Sequence, residues 1–145
     1  MPEGDGTKYG KYIVSDLIMP ESKQKIDADY RKYARRILWL DDELVPGAFH
    51  MNTAWYLKPG PTLESTSHTH DTGEIIGFFG SDPENPLELN GEVEIWLEDE
   101  KHVLVRTSMI FVPAGMVHCP LTLKRVDKPI FHFTTVSGGK YVVQQ

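Results

Sequence analysis

Cysteine is almost absent from this sequence of 145 residues, in which Cys119 is the only one. One cysteine cannot form a disulfide within the chain, so packing, hydrogen bonds or a bound metal must hold the fold, and a reducing compartment fits this usage. Cys119 follows His118 directly, and on an extended strand the two side chains point in opposite directions. We therefore expect Cys119 to be a packed small side chain and not a thiolate ligand.

Positive charge is also scarce. Lysine and arginine together number 15 against 21 aspartates and glutamates, the net charge is -6, and no run of basic residues is longer than two. Proteins that bind nucleic acid neutralise phosphates with clustered basic side chains. The sequence therefore predicts no nucleic-acid partner.

Long hydrophobic runs are missing as well. A helix needs about 20 mostly apolar residues to cross a bilayer, and no stretch of this sequence approaches that length. The opening residues MPEGDGTKYG lack the basic and then apolar order of a secretion signal. We expect no membrane partner and a cytoplasmic location.

One segment has helical periodicity, PESKQKIDADYRKYARR at residues 20–36. The apolar positions at helical spacing are Ile26, Tyr30, Tyr33, Ala34 and Ile37. The pattern predicts a short helix behind an N-terminal arm. We place the arm and helix at 1–36 and a β domain at 37–145.

Beyond this segment the hydrophobic period changes to two. The strand candidates are FHMNTAWYL, EIIGFF, EVEIWLE, HVLVRTSMIFV, HCPLTLKRV and IFHFTTV. Turn signals rich in proline, glycine and asparagine separate them. Several short strands at this spacing predict an all-β sandwich or small barrel.

Two short motifs carry the candidate chemistry, HTHDTGE and, further along, PAGMVHC. Side chains two apart leave a strand from the same face, so His68 and His70 can bind one ion together. Glu74 follows at another even offset, and His118 lies behind a Pro-x-Gly turn that can bring its strand alongside. Imidazole nitrogens with one carboxylate suit divalent iron, manganese, nickel, cobalt or zinc.

The other histidines, His50, His102 and His132, stand alone in the sequence. A single histidine on a strand is more often solvated or hydrogen-bonded than a metal ligand. The four-residue set is different, because independent placement of its members at these spacings is improbable in a chain with six histidines. The set is therefore interpreted as a site.

The longer stretches SHTHDTGEIIGFFG and VPAGMVHCPL resemble the two motifs of the cupin superfamily. The first has the form His-x-His-x-x-x-Glu and ends in glycine, and the second has the form Pro-x-Gly-x-x-His. The resemblance covers about residues 50–136 and implies a cupin-type jelly-roll β-barrel, in a small single-domain, metal-binding form. It also implies that one divalent transition metal is bound, with iron as our first choice, by His68, His70, Glu74 and His118.

The resemblance permits several activities, and a fold does not choose among them. We expect a metal-dependent oxidoreductase of the dioxygenase type that acts on a small organic molecule at a three-His, one-Glu centre. One alternative is a non-catalytic cupin that binds a metal or a small molecule. The other is a metal-dependent lyase or isomerase with Glu74 as its base, and the sequence leaves Glu74 equally open as a catalytic residue or as a ligand alone.

Alternation on IFHFTT sets His132 and Thr134 on one face and Phe131 and Phe133 on the other. We expect His132 to point inward as a catalytic or substrate-contacting residue, because a metal enclosed by apolar walls has nothing to orient a polar substrate. The competing arrangement has the phenylalanines inward and would suit an apolar substrate.

The strand that leaves His118 raises the same question of orientation. Alternation places Thr122 and Lys124 on the histidine's face and Leu121 and Leu123 on the other, and we expect Lys124 to be a solvated rim residue. In FHMNTAWYL the alternation separates one set, His50, Asn52 and Tyr56, from another, Phe49, Met51, Trp55 and Leu57. The sequence leaves open which set lines the interior.

Assembly is suggested by the tryptophans. Trp39, Trp55 and Trp96 give more large aromatic surface than one small barrel needs to bury, so we expect a homodimer. The alternative is that all three belong to the core.

Overall fold

The computed structural model describes residues 6–24, 27–60, 62–64 and 67–138. Within these ranges the chain begins with a 3-10 turn and two one-turn helices, and nine strands follow. The helical elements are the turn Gly10–Tyr12, α1 (Glu21–Gln24) and α2 (Asp27–Tyr30). The strands are β1 (Ala34–Leu40), β2 (His50–Tyr56), β3 (Thr62–Glu64), β4 (Glu74–Gly80), β5 (Glu88–Leu97), β6 (Glu100–Arg106), β7 (Ser108–Val112), β8 (His118–Val126) and β9 (Ile130–Val136).

The strands form two antiparallel sheets. The five-stranded sheet has the order β1-β2-β9-β4-β7, and the four-stranded sheet has the order β3-β8-β5-β6. Many neighbours in these sheets are distant in sequence, as the crossovers of a jelly roll require. The predicted all-β jelly roll with a short N-terminal arm or helix is confirmed.

The core lies between the two sheets. On β9 the side chains alternate between buried and half-buried from Ile130 to Val136, and β5 shows the same alternation along most of its length. Phe78 and Leu89 are fully buried in this core. Each such side chain contributes about 1.5–3 kcal/mol to folding, and a register slip of one residue would move all of them to the outer face.

One row of inward positions crosses the five-stranded sheet beside the candidate site. In this row His50 pairs with Val136, Val136 pairs with Glu74, and Glu74 pairs with Val112. All four side chains are buried. We call these four residues the site row, because they place Glu74 and His50 on the same inner face of the sheet.

The helix predicted over 20–36 is too long, and its last residues belong to a strand. The described part of this segment contains two one-turn helices, α1 and α2, and β1 already begins at Ala34. The predicted boundary between arm and β domain at residue 36 therefore falls inside a strand. Ile26 lies outside the described residues. A helix of this length is marginal alone in water, whereas pairing with β2 satisfies the backbone and buries Ala34 and Trp39. Among the described residues, no helix is long and apolar enough to cross a membrane.

The three tryptophans occupy different environments. Trp39 is buried inside, whereas Trp55 and Trp96 are 36% and 37% exposed on opposite sheets. Trp55 lies on the outer face of the five-stranded sheet, where its ring meets the ring of Phe131 edge to face at 5.7 Å. The alternative that all three form core is therefore wrong.

Gly80 closes β4 where no side chain fits. A Cβ atom at this position would lie 1.9 Å from the backbone oxygen of Glu88, and backbone cannot move aside cheaply. We expect Gly80→Ala to lower the free energy of unfolding by about 2–3 kcal/mol through overpacking. Chemical denaturation measures this, with Gly138→Ala as the control, because a Cβ there meets only the Thr72 side chain at 3.3 Å. Equal losses in the two variants would contradict the prediction.

Candidate metal centre

The two histidine motifs are fastened to each other by backbone hydrogen bonds. The amide of His68 donates to the carbonyl of His118 and the amide of His118 donates to the carbonyl of His68, both at 3.1 Å. The amide of Gly115, in the Pro-x-Gly turn, donates to the carbonyl of His70 at 3.0 Å. Gly115 has φ +83°, a left-handed conformation that favours glycine. The turn therefore brings His118 to the first pair.

Three imidazoles converge in the buried space between the sheets. The ring centroids of His68 and His118 are 4.3 Å apart, those of His68 and His70 are 4.9 Å apart, and those of His70 and His118 are 5.0 Å apart. One nitrogen of each ring lies within 4.8 Å of the others. Two nitrogens bound to one divalent metal by bonds of about 2.0–2.1 Å lie at most about 4.2 Å apart, so a small inward rotation of the rings would let one ion bind all three.

Glu74 adds a carboxylate to this cluster. Its Oε1 lies 3.2 Å from Nε2 of His70 and 2.9 Å from Nε2 of His118. Although these contacts are short, Oε1 of Glu74 and Nε2 of His118 are buried and neither makes a contact with hydrogen-bond geometry. Buried polar atoms in native proteins nearly always have a partner. A metal ion between these atoms would satisfy both, so the residues fit the implied metal.

The hydrogen bond on the far side of His118 sets its tautomer. Nδ1 of the ring lies 3.1 Å from the carbonyl oxygen of Met116. A carbonyl only accepts, so Nδ1 carries the proton and donates it, which leaves the lone pair of Nε2 facing the cluster. This arrangement is the one that orients metal-binding histidines generally.

The charge state of Glu74 also suits a ligand. Burial alone would raise the pKa of the Glu74 carboxyl, but its contacts with His118 and His70 outweigh that effect and lower the pKa to about 2. The carboxylate is therefore ionised near neutral pH, as a metal ligand must be.

The structure thus brings together all four side chains that the motifs predict, and they could hold a metal. Cys119 is a packed side chain of the hydrophobic core, as expected, and does not belong to the histidine cluster described above. Its backbone is not extended, because its φ is +75°, so the opposite side-chain directions expected of an extended strand do not apply here. His102 is exposed and pairs with Glu100 at 3.1 Å, away from the site.

His132 points into the interior, as expected. Its ring stacks between those of Tyr56 and Phe78, at centroid distances of 4.7 and 5.0 Å. Nδ1 donates to the carbonyl of Gly77 at 3.0 Å, and Nε2 is 3.3 Å from the hydroxyl of Thr134. Burial lowers the pKa of His132 to about 4, although the bond to Gly77 opposes this. None of these contacts involves the four candidate ligands, so the catalytic role of His132 stays a prediction.

The predicted orientation of β8 is wrong. Leu121 and Leu123 are buried along with His118, whereas Thr122 is half-buried and Lys124 is exposed. The register between β5 and β8 shifts between the pairs Ile95–Leu121 and Leu97–His118. An irregularity of this kind changes which side chains face inward, and strict alternation cannot anticipate it. Lys124 is a rim residue, as expected.

The sequence did not reveal that three polar side chains, those of His50, Asn52 and Arg36, contact one another on the inner face of the sheet. His50 is fully buried, and the side-chain amide of Asn52 donates to its Nε2 at 3.1 Å. Nη1 of Arg36 donates to Oδ1 of Asn52 at 3.2 Å. The His50 ring also meets the ring of Trp39 at 4.6 Å.

These contacts have an electrostatic consequence for His50. Burial lowers the pKa of His50 to about 4, and Arg36 adds to the lowering while Asp41 and Glu74 oppose it. The imidazole is therefore neutral at pH 7. The alternation that sets His50 and Asn52 on one face was the available signal for this group, but it does not tell which face is inward. Arg36 was not recognised as part of the group, because residues 20–36 were interpreted as a helix.

The metal should be coupled to folding, because the four groups converge only in the folded chain. We expect a chelator to lower the melting temperature of metal-loaded protein by roughly 5–10 °C relative to metal present at 100 times its Kd. Differential scanning calorimetry with and without chelator measures the difference. An unchanged melting curve in protein shown by elemental analysis to have lost its metal would argue against the coupling.

Comparison with known proteins finds likeness in structure only. No protein-family model and no curated protein matches the sequence. Among solved structures, a cupin 2 domain-containing protein from Halorhodospira halophila is 15% identical and has a TM-score of 0.54, with 79% of this chain and 71% of that chain covered. A recombinant oxalate oxidase in complex with glycolate is 13% identical and has a TM-score of 0.52, with 92% of this chain and 62% of that chain covered. At these identities the likeness concerns the fold.

Proposed function

Because this chain has the cupin fold, we propose that it is a metal-dependent enzyme, an oxidoreductase of the dioxygenase type, that acts on a small organic molecule. The observation that carries the proposal is the convergence of three buried imidazoles and the Glu74 carboxylate on one point. Three nitrogen donors with one carboxylate suit the redox-active ions iron and manganese as well as zinc, nickel and cobalt. We place iron first.

The protein groups have separate tasks in this proposal. His68, His70, Glu74 and His118 would hold the ion, and a divalent ion supplies a Lewis acid with open positions and, if redox-active, electron transfer. The contact with Met116 keeps the His118 lone pair directed at the site. His132 is neutral, and its ring is held by the hydrogen bond to Gly77. It would provide a polar contact for a substrate in an otherwise aromatic part of the interior.

Glu74 is a better ligand than base in this proposal. A general base works best with a pKa near the working pH, whereas the pKa of Glu74 is lowered to about 2 by His118 and His70, against the effect of burial. This difference favours a role of Glu74 as a ligand.

The oxidation named for the oxalate oxidase, a structural neighbour at a TM-score of 0.52, supports the choice of reaction class without identifying a substrate. The test is elemental analysis of purified protein, followed by oxygen-uptake measurements with a panel of small organic molecules. Iron or manganese together with substrate-dependent uptake is the expected result. Bound zinc without uptake would overturn the oxidoreductase, and tight ligand binding without turnover would identify a non-catalytic cupin.

We also propose a homodimer formed through the outer face of the five-stranded sheet. The outward positions of its strands β2, β9, β4 and β7 carry no charged side chain, and they are Met51, Thr53, Trp55, Phe131, Phe133, Thr135, Ile75, Gly77, Phe79, Met109 and Phe111. An apolar patch of this kind is rare on monomers. A charge-free surface is complementary to itself, which a two-fold contact between identical chains requires.

A charge introduced into this face should separate the dimer. Phe111 is 64% exposed, so Phe111→Glu need not disturb the core. We expect light scattering to give the dimer mass for wild type and at least a tenfold weaker association, about 1.4 kcal/mol, for this variant. Val103→Glu, at an exposed position of β6 in the other sheet, is the control and should stay dimeric. A wild-type mass equal to that of the monomer at every concentration would contradict the proposal.

A further inference from the structure

Arg36 is half-buried and brings a permanent positive charge to the face of the five-stranded sheet that also carries Glu74. On β1 it pairs with Ala54 of β2, whose side chain is fully buried, so Arg36 points to the inner face of the sheet. Its neighbour on the strand, Arg35, points to the opposite face and is exposed. A guanidinium that is partly removed from water needs hydrogen-bond partners, and the contacts of Arg36 show what it meets on the inner face.

The guanidinium is held in a defined place. Its carbon lies 4.5 Å from the ring centroid of Tyr30 and 5.4 Å from that of Trp39, and Nη1 donates to Oδ1 of Asn52. Asn52 in turn donates to His50 of the site row. This chain of contacts fixes the direction of the guanidinium plane, and a fixed plane loses little entropy when it binds a partner.

The position is close enough to the metal centre for one small molecule to reach both. Asn52 is one inward step from the site row and two strands away from Glu74. With about 6.8 Å per inward step and about 4.8 Å per strand, the two backbone positions are roughly 12 Å apart. A molecule of a few carbon atoms, together with these side chains and a bound metal, could span this distance.

The charges on the inner face favour an anion. Three neutral imidazoles and one carboxylate would leave a divalent ion with one formal positive charge, and Arg36 adds a second. Among the described buried residues the carboxylates are Glu74 and Asp41. Asp41 accepts from Nε1 of Trp39 at 2.9 Å and from the amides of Glu43 and Leu44 at 2.9 and 3.0 Å, so it is engaged elsewhere.

We propose that Arg36 binds the carboxylate of the substrate and that the protein therefore acts on small organic acids. The planar fork of a guanidinium matches a carboxylate with two parallel hydrogen bonds, and such charge-assisted pairs are the stronger hydrogen bonds in proteins. The other end of the acid, a hydroxyl or carbonyl oxygen, would lie toward the four side chains that would hold the metal. This inference rests on the proposed metal-dependent function and gives its substrate class.

The test uses cobalt-loaded protein and ω-hydroxy acids of two to four carbons, each compared with its neutral amide by isothermal titration calorimetry. We expect wild type to bind the best acid at least about tenfold more tightly than its amide, because a hydrogen bond to a charged group is worth more than a neutral one. Arg36→Gln should lose about tenfold or more in affinity for this acid and little for the amide. Arg36→Lys should fall between, because it keeps the charge without the fork.

Arg35→Gln is the matched control, since it removes the same group from the other face of β1, and its affinities should equal those of wild type. Equal affinity of wild type for acid and amide would overturn the inference, whether or not the Arg36 variants fold. So would wild-type affinity for the acid in a folded, metal-loaded Arg36→Gln variant. If metal-loaded wild type binds none of the acids, the inference about Arg36 is wrong, but the proposed metal-dependent function is not affected. If wild type does not bind cobalt, both proposals are wrong.

Discussion

Alanine in place of His118 is expected to empty the metal centre. A residue that only supports a ligand contributes about 10–100-fold to metal affinity, so loss of a ligand itself should cost at least about 100-fold. Alanine keeps the two backbone hydrogen bonds between this position and His68, so the expected loss comes from the side chain of His118. Its side chain also lies 2.9 Å from Glu74. Removal of the imidazole therefore weakens the position of the carboxylate as well.

The measurement is metal content per chain after dialysis, by inductively coupled plasma mass spectrometry, together with a circular dichroism spectrum to verify the fold. Wild type should retain about one ion per chain under conditions in which His118→Ala retains almost none. His70→Ala should behave in the same way. His102→Ala is the matched control, because His102 is an exposed histidine of β6 that pairs with Glu100, and it should keep its metal. Full retention of metal by a His70→Ala, His118→Ala double variant would refute the site.

The pairing of His68 with His70 could be predicted from the sequence because its geometry is local, whereas the meeting of this pair with Glu74 and His118 was what the resemblance to the cupin motifs implied. His68 and His70 are two residues apart, and the direction of their side chains follows from backbone geometry whatever the rest of the fold does. The Pro-x-Gly turn before His118 likewise needs only Gly115 in a left-handed conformation, which the structure has. Side-chain directions and turns that depend on only a few adjacent residues are the same whatever the rest of the chain does, and so they can be predicted from the sequence.

Other parts depend on distant partners and were therefore mistaken or left open. Ala34 and Arg36 have the spacing and propensity of a helix, but β2 offers them a strand partner and a place against the core. Leu121 faces inward because of an irregularity in the pairing of β8 with β5, and no local pattern marks it. Alternation correctly placed His50 and Asn52 on the same face of β2. It could not tell whether this polar face or the apolar face points inward, because an interior that holds a polar site can accept either.

Acid should destabilise the metal-free protein strongly between pH 6.5 and pH 4. Burial lowers the pKa of both His50 and His132 to about 4, from an ordinary value of about 6.5. Between these two pH values the imidazoles of His50 and His132 are protonated in the unfolded chain and remain neutral in the folded chain. The free energy of unfolding therefore rises with pH in this window and is lost as the pH falls. The effect is fully developed below pH 4 and absent above about pH 6.5.

Its size is large for a small domain. A shift of two to three pKa units corresponds to about 3 kcal/mol for the fully enclosed His132, and to a similar or smaller amount for His50. A typical domain has only about 5–15 kcal/mol in total. The two histidines together therefore remove a large share of the stability near pH 4. Glu74 acts in a different window, because its contacts with His118 and His70 lower its pKa to about 2 despite burial, and its contribution is lost only below about pH 4.5.

His132→Phe isolates one of the two contributions. A phenylalanine ring can occupy the space between Tyr56 and Phe78, although it loses the hydrogen bond to Gly77, so the variant should be less stable at pH 7. That loss does not depend on pH, whereas the titration is removed. Urea denaturation in the presence of chelator should therefore show about half of the wild-type decrease between pH 6.5 and pH 4. His102→Gln, at an exposed position, should show the full decrease, and a full decrease in His132→Phe would mean that the interior imidazoles are not what makes the fold sensitive to acid.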